Sequence, residues 1–487
     1  MKKTSLVVLI AILCLIFPQS IKAEVKLPEI VSSNMVLQRN TTVQIWGWSD
    51  PEEKIAIETS WLRDVLNIKA DINGNWSIKV KTTNSKQPQI IKIKSNTSDI
   101  ILENILFGEV WLCSGQSNMQ QSMKGYMGQP TFNTSMSIAK SKNLNLRLFT
   151  IKHYGSKTPL VNIEKYNSWQ HASPDSVLNF SAVAYFFGQQ LQEILDCPVG
   201  IIHSSWGGSS VQAWMSNEAI SSHQKVNLDN VNITNNTNKI PTALYNAMIN
   251  PIIPYSIKGV LWYQGEANRK EPMNYKKLFP AMVKDWRIRW DIGNFPFYYV
   301  QIAPFLYGNN DAYNSSDNSA FIREAQLKCL DLIPNSGIAI TIDAGDQYAI
   351  HPPKKKQVAD RLLYNALNQT YGYETINYAT PIYDSLEEKD GGLIVKFKNA
   401  NTGLFTYDAL KDFEIAGDNK VFYPAKAEIL HRKHVFVKSD LVPKPVAVRY
   451  AWKNWVTGTL FGTNLLPASS FRTDKWEDAT QFKNKID

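Results

Sequence analysis

The chain has 487 residues, 44% of them hydrophobic and 20% charged, which suits a sizeable buried core in more than one domain and excludes a disordered chain. Its formal charge of +9 comes from 52 Lys and Arg set among 43 Asp and Glu. With no basic stripe interleaved with aromatics, that mild excess argues against a nucleic-acid partner.

The first 23 residues read as a cleaved secretory signal: Lys2 and Lys3, a short apolar core from Leu6 to Phe17, and small Ala23 before the cleavage point. The apolar core falls short of the roughly 20 residues that span a bilayer, and no later segment has that length without charges. Cys14 follows Leu13 rather than a small residue, which argues against lipidation. We therefore expect a periplasmic or extracellular protein with 49 basic and 43 acidic residues, a net charge of +6. Cleavage leaves Cys113, Cys197 and Cys329, an odd number with no CxxC spacing, so neither a disulfide framework nor a zinc–cysteine site is expected.

From 24 to 106 the pattern is short alternating runs, TVQIWGW, KIAIET, NWSIKV and QIIKIKS, separated by turn residues such as Asn73-Gly74. This predicts a small N-terminal β domain. From 107 to 375 apolar runs alternate with helical periodicity, as in FSAVAYFFGQQLQEIL and NYKKLFPAMVKDWRIRW. That alternation predicts an α/β domain with a parallel sheet covered by helices, whose ligands gather at the carboxyl ends of the strands. From 376 to 487 the alternation is β only, in GGLIVKFK, HVFVKS and PVAVRYAW, so a second β region closes the chain. The tight basic cluster Lys354 to Lys356 reads as a solvated helix face.

The stretch FGEVWLCSGQSNM is an apolar strand that turns through Ser114-Gly115 into a predicted helix. Ser117 then sits near a helix N-terminus, where free N–H groups favour developing negative charge. The position fits either an N-cap serine or a nucleophile. It is not the GxSxG elbow, because Met119 stands where the second glycine would be.

A nucleophilic serine needs a base, and the chain has seven histidines. His203 ends a predicted strand. His351 is better placed, in a polar loop between the strand GIAITIDAGD and a helix, with Asp343 and Asp346 upstream as groups that could orient an imidazole. Two further strand ends offer oxyanion donors: the backbone around Gly207 and Gly208 in SSWGGS, and the side-chain amide of Gln264 in WYQGEAN. Each alone also fits a tight turn or, for Gln264 and Glu266, a structural polar network.

Taken together, Ser, Gly, an amide and His at the ends of successive strands resemble the plan of the SGNH hydrolase superfamily, and within it the sialate O-acetylesterase family. The matching segments are LPEIVSSNMVLQRN, FGEVWLCSGQSNMQ, FSAVAYFFGQQL, GIIHSSWGGSSVQAWM, LWYQGEAN, FPFYYVQIAPF, REAQ, IDAGDQYAIHP and LPASSFRTD, from Leu27 to Asp474. The resemblance implies a flavodoxin-like SGNH domain flanked by β-sandwich-like regions, and a serine hydrolase that removes O-acetyl groups from sugars without a metal or other cofactor. It implies Ser117 as nucleophile, His351 as general base, and an oxyanion hole of the Ser117 amide, Gly207 or Gly208, and Gln264.

The resemblance implies an Asp three residues before the histidine, as in many members of the superfamily, where this chain has Tyr348. Asp346 is then the first choice for the third triad member, with Asp343 or a backbone carbonyl as alternatives. Arg269, Arg323 and Glu266 are candidates for substrate binding, an arginine suiting the carboxylate of a sialic acid. Acetylated sialic acid is the expected substrate, with acetylated xylan or another plant polysaccharide as the alternative. A non-catalytic secreted carbohydrate-binding protein is the competing class. The oligomeric state is not legible.

Overall fold

The computed structural model describes residues 24–227, 232–233, 237–308 and 318–476. The signal segment read at 1–23 lies outside the described residues. The largest sheet contains β1 (Asp99–Gly115), β2 (Asn143–Ile151), β3 (Tyr166–Ala172), β4 (Val199–Ser205), β5 (Gly259–Tyr263), β6 (Phe297–Val300) and β7 (Ser336–Ala339), in the spatial order β7-β6-β5-β1-β4-β2-β3. Neighbours along this path are parallel except β2 and β3.

These strands are apolar on both faces because both faces are covered. On one side Trp111, Cys113, Ile201 and Tyr263 pack under α2 (Ala182–Leu195) and α5 (Lys355–Asn365). On the other, Trp262 meets Phe279 and Trp286 of α3 (Pro272–Trp290). After β1 the chain first builds the β2–β4 side, then returns to add β5, β6 and β7 on the opposite side. The crevice at the carboxyl end of β1 is therefore a topological switch point, the usual place for a ligand in such sheets.

β1 is a single strand shared by two layers. Its first part pairs antiparallel with Gln89–Lys94, Val36–Gln38 lie parallel to it at Leu106–Gly108, and its last part, from Glu109, lies between β4 and β5. The division read between 106 and 107 thus falls inside one continuous strand. The buried Glu109 carboxylate fixes the junction by accepting from Gln38 Nε2 at 3.1 Å, Arg39 Nε at 2.6 Å and Tyr371 Oη at 3.1 Å.

The C-terminal part forms two four-stranded antiparallel sheets and a two-stranded pair. It is tied to the α/β core by Arg323 of α4 (Ala320–Lys328), whose guanidinium donates to Ala451 O at 3.2 Å and Lys453 O at 2.5 Å. A buried bidentate pair, Arg449 with Asp474, closes the end of the LPASSFRTD segment, both bonds at 3.0 Å.

Candidate active site

β1 ends at Gly115, whose φ of +134° lets its backbone approach Tyr263 of β5; a Cβ there would meet Tyr263 O at 2.2 Å. Gln116 caps the one-turn helix α1 (Ser117–Gln120) with extended backbone but no side-chain bond. The amides of Met119 and Gln120 close on Gln116 O, whereas those of Ser117 and Asn118 find no acceptor among the described residues. Ser117 is half-buried at this turn.

His351 lies across the crevice, in the loop between β7 and α5. The residue after Ser117 bonds to the residue before His351, with Asn118 Nδ2 donating to Ile350 O at 3.1 Å. Tyr126 makes a second bridge: its ring sits edge-on to the imidazole at 5.0 Å and its hydroxyl donates to Ser117 O at 3.3 Å. Ser117 and His351 are thus held on facing turns.

Among the described residues no aspartate bonds to the imidazole. Its Nδ1 bonds to Gln129 Oε1 at 2.8 Å, and the same oxygen accepts the His351 backbone N–H at 3.1 Å. A backbone N–H can only donate, so the Gln129 atom facing it is the oxygen; Nδ1 must therefore carry the proton, which leaves Nε2 as the free base. Gln129 ends a tight turn from Tyr126, closed in both directions by backbone bonds of 2.9 and 3.0 Å, with Gly128 at φ +69°. That is the turn position where a positive φ calls for glycine.

The two acids read as triad candidates are occupied elsewhere. Asp346 Oδ1 accepts the amides of Tyr348 and Ala349 at 2.8 and 2.9 Å, shaping its own loop. Asp343 forms a two-pronged bond with Arg361 at 2.7 Å on each side. Tyr348, three residues before His351, is 84% exposed. His203 is buried beside Ser205, with Nε2 and Oγ 2.6 Å apart, and burial pushes its pKa down to about 3.

The oxyanion candidates divide. Gly207 adjoins the serine: a Cβ there would stand 3.3 Å from Ser117 Cβ, and its amide donates to Gln120 Oε1 at 2.7 Å. Gly208 supplies the turn with φ +69°. Gln264 is fully buried and spends both amide protons on Ser209 O at 3.0 Å and Asn268 Oδ1 at 2.8 Å. It braces the WYQGEAN turn, and its amide is not offered to the Ser117 crevice.

The substrate-binding candidates also separate. Arg323 is 0% exposed and its donors go to carbonyls and to the hydroxyls of Ser319 and Ser470; it cannot meet a substrate carboxylate. Glu266 is buried and accepts from Asn118 Nδ2 at 2.6 Å. Arg269 is half-buried, its guanidinium 4.7 Å above the Tyr307 ring. Of the cluster expected to be a solvated helix face, Lys354 is exposed but Lys355 is wholly buried and bonds to Asn118 Oδ1.

Burial and the nearby Lys355 ammonium push the His351 pKa down to about 4. The imidazole is then neutral throughout the neutral range, the state a general base needs. Among the described residues no cluster of His, Cys, Asp and Glu could hold a metal, and the three cysteines are free and buried.

The crevice thus holds a serine turn and a neutral imidazole at the switch point of an α/β sheet. Residues 108–362 match the family described as carbohydrate esterase, sialic acid-specific acetylesterase, and the chain belongs to that family. It is 26% identical over 474 residues to the human sialate O-acetylesterase, covering 87% of each chain, and 26% identical over 503 residues to the mouse protein of that name. A solved carbohydrate acetylesterase from Xanthomonas citri is 33% identical, with a TM-score of 0.84 over 93% of this chain and 100% of that one.

Proposed function

We propose that the chain is a secreted carbohydrate O-acetylesterase of SGNH type, with residues 107–375 as its catalytic domain and the β regions 24–106 and 376–487 flanking it. Ser117 is the nucleophile and His351 the base. The observation that carries this reading is the Asn118–Ile350 bond of 3.1 Å, which sets the two residues on facing turns.

The Ser117 hydroxyl attacks the acetyl carbonyl while His351 Nε2 takes its proton. The oxyanion is held by the amides of Ser117 and Gly207, the latter released when substrate displaces the Gln120 side chain. The tetrahedral intermediate expels the sugar oxygen, which takes the proton from His351. Water, deprotonated by His351, then attacks the acetyl-enzyme and frees acetate. Throughout, Gln129 keeps Nδ1 protonated and the ring in place.

Ser117→Ala should abolish acetate release from a small acetyl ester while leaving the fold intact; retained release would refute the assignment. For substrate, the family description favours acetylated sialic acid. With Arg323 buried, Arg269 is the remaining cation of the two candidates for its carboxylate, which keeps neutral acetylated sugars such as acetylxylan as the second reading. Comparing acetate release from 9-O-acetylated sialic acid and from acetylated xylan decides between them. Arg269→Ala should raise KM for the first substrate alone if Arg269 binds the carboxylate.

A further inference from the structure

Directly behind the Ser117 turn, three buried polar side chains from three different segments meet. Asn118, 1% exposed, follows the serine; Glu266, 8% exposed, lies in the WYQGEAN turn after β5; Lys355, 0% exposed, opens α5. Asn118 commits both of its amide protons and its carbonyl oxygen here. Its Nδ2 donates to Glu266 Oε1 at 2.6 Å and to Ile350 O at 3.1 Å, and its Oδ1 accepts from Lys355 Nζ. Glu266 Oε2 has no hydrogen-bond partner among the described residues.

Burying an ammonium and a carboxylate normally costs several kcal/mol per ion, and apolar residues of similar volume would fill the same space. The two charges meet on Asn118, the residue after Ser117, and Lys355 lies four residues after His351. The titratable groups facing Lys355 are Glu266, the Tyr263 ring at 5.7 Å and His351. Those around Glu266 are Lys355 and the buried phenols Tyr263, Tyr275 and Tyr307. Facing His351 are Lys355 and Tyr126.

We propose that Lys355, Asn118 and Glu266 form a positioning relay that locks the Ser117 turn to the His351 loop, in which the Lys355 charge disfavours the imidazolium. The proposal rests on the Ser117–His351 reading above. Burial lowers the Lys355 pKa to about 7, so the ammonium is formed across the acidic range in which His351 would begin to protonate. The repulsion is therefore present where it matters. Burial raises the Glu266 pKa, so its carboxyl is already largely protonated where His351 would begin to protonate.

Charge at Lys355 gives a signature that loss of a merely structural contact would not. Lys355→Met removes the repulsion, so the acid limb of kcat/KM against pH should move up by about one unit. Glu266→Gln keeps the shape and the bond from Asn118 and replaces a carboxyl already largely neutral in the acidic range, so the limb should stay in place. Lys355→Arg should restore the parent profile in part. The measurement is hydrolysis of an aryl acetate from pH 3.5 to 8 by the full-length protein, with folding checked by circular dichroism.

A Lys355→Met limb that stays put, or a Glu266→Gln limb that moves as far, overturns the relay. Should Lys355→Met not fold, titration of the His351 imidazole by NMR in the parent and in Lys355→Gln carries the test, and an unmoved midpoint overturns it. An organophosphate probe separates the two levels. Labelling of Ser117 in the parent with an unmoved Lys355 limb defeats the relay alone; absence of labelling in the parent defeats the nucleophile assignment and the relay with it.

Discussion

Gln129 Oε1 stands 2.8 Å from His351 Nδ1 and 3.1 Å from the His351 backbone nitrogen, so one amide oxygen sets both the tautomer and the orientation of the imidazole. A carboxylate in this place would stabilise imidazolium; a neutral amide orients the ring with far less effect on its basicity. Gln129→Ala should lower kcat by roughly 10²-fold, less than the roughly 10⁴ that follows loss of a triad aspartate's tautomer control. Gln129→Glu should retain much more activity and raise the imidazole pKa, moving the acid limb upward. Steady-state kinetics of both variants across pH check the pair, and a Gln129→Ala enzyme with full kcat would refute the role.

The acid limb of the parent enzyme should lie low. With the His351 pKa near 4, neutral imidazole persists well below its ordinary 6.5, and activity is lost only as pH falls through the lowered value. Measured kcat/KM should be flat from neutrality to about pH 5 and half its plateau near pH 4. A midpoint near 6.5 would contradict the burial and repulsion described for this ring.

Gly207→Ala tests the crowding beside Ser117. The new methyl would stand 3.3 Å from both Ser117 Cβ and Gln120 Oε1, so Ser117 must yield by a fraction of an ångström. Because a misplacement of about 1 Å can cost 10²-fold, a drop of roughly tenfold in kcat/KM is expected with little change in stability. Kinetics together with thermal melting separate this from a general loss of fold.

Arg323 should behave as a structural residue. Its removal orphans the carbonyls of Ala451 and Lys453 and the hydroxyls of Ser319 and Ser470. Each buried group left unpaired costs about 1–3 kcal/mol, so Arg323→Ala should destabilise by at least about 2 kcal/mol in urea unfolding. The KM of the molecules still folded should not change. A selective rise in KM at unchanged stability would return Arg323 to the substrate site.

What the sequence disclosed follows physical visibility. The β1 stretch and its neighbours are legible because strands buried on both faces must be apolar throughout, and Ser117 stands out as the polar break where such a run ends. Gln129 escapes because a neutral amide carries no charge signature; the only hint is the punctuation around it, Gly125, Gly128 and Pro130. Lys355 escapes for a different reason. In a basic run every residue reads as solvated, yet successive helical residues point about 100° apart, so one of the three can face inward while the exposed Lys354 does not. Asp346 attracted attention by charge and proximity in sequence, but an aspartate in a loop is more easily used to bond its own backbone, as it does here.

β1 extends for 17 residues from Asp99 to Gly115, about 56 Å at about 3.3 Å per residue. Successive side chains alternate faces, so a slip of one residue anywhere along it would exchange Trp111 and Cys113 with Val110 and Leu112 and swing the serine turn to the other side of the sheet. The antiparallel pairing with Gln89–Lys94 and the parallel contact with Val36–Gln38 grip the far end of that ruler. The N-terminal β region thus fixes the phase in which Ser117 emerges, and a chain trimmed to begin at residue 108 would lose that indexing while keeping both Ser117 and His351.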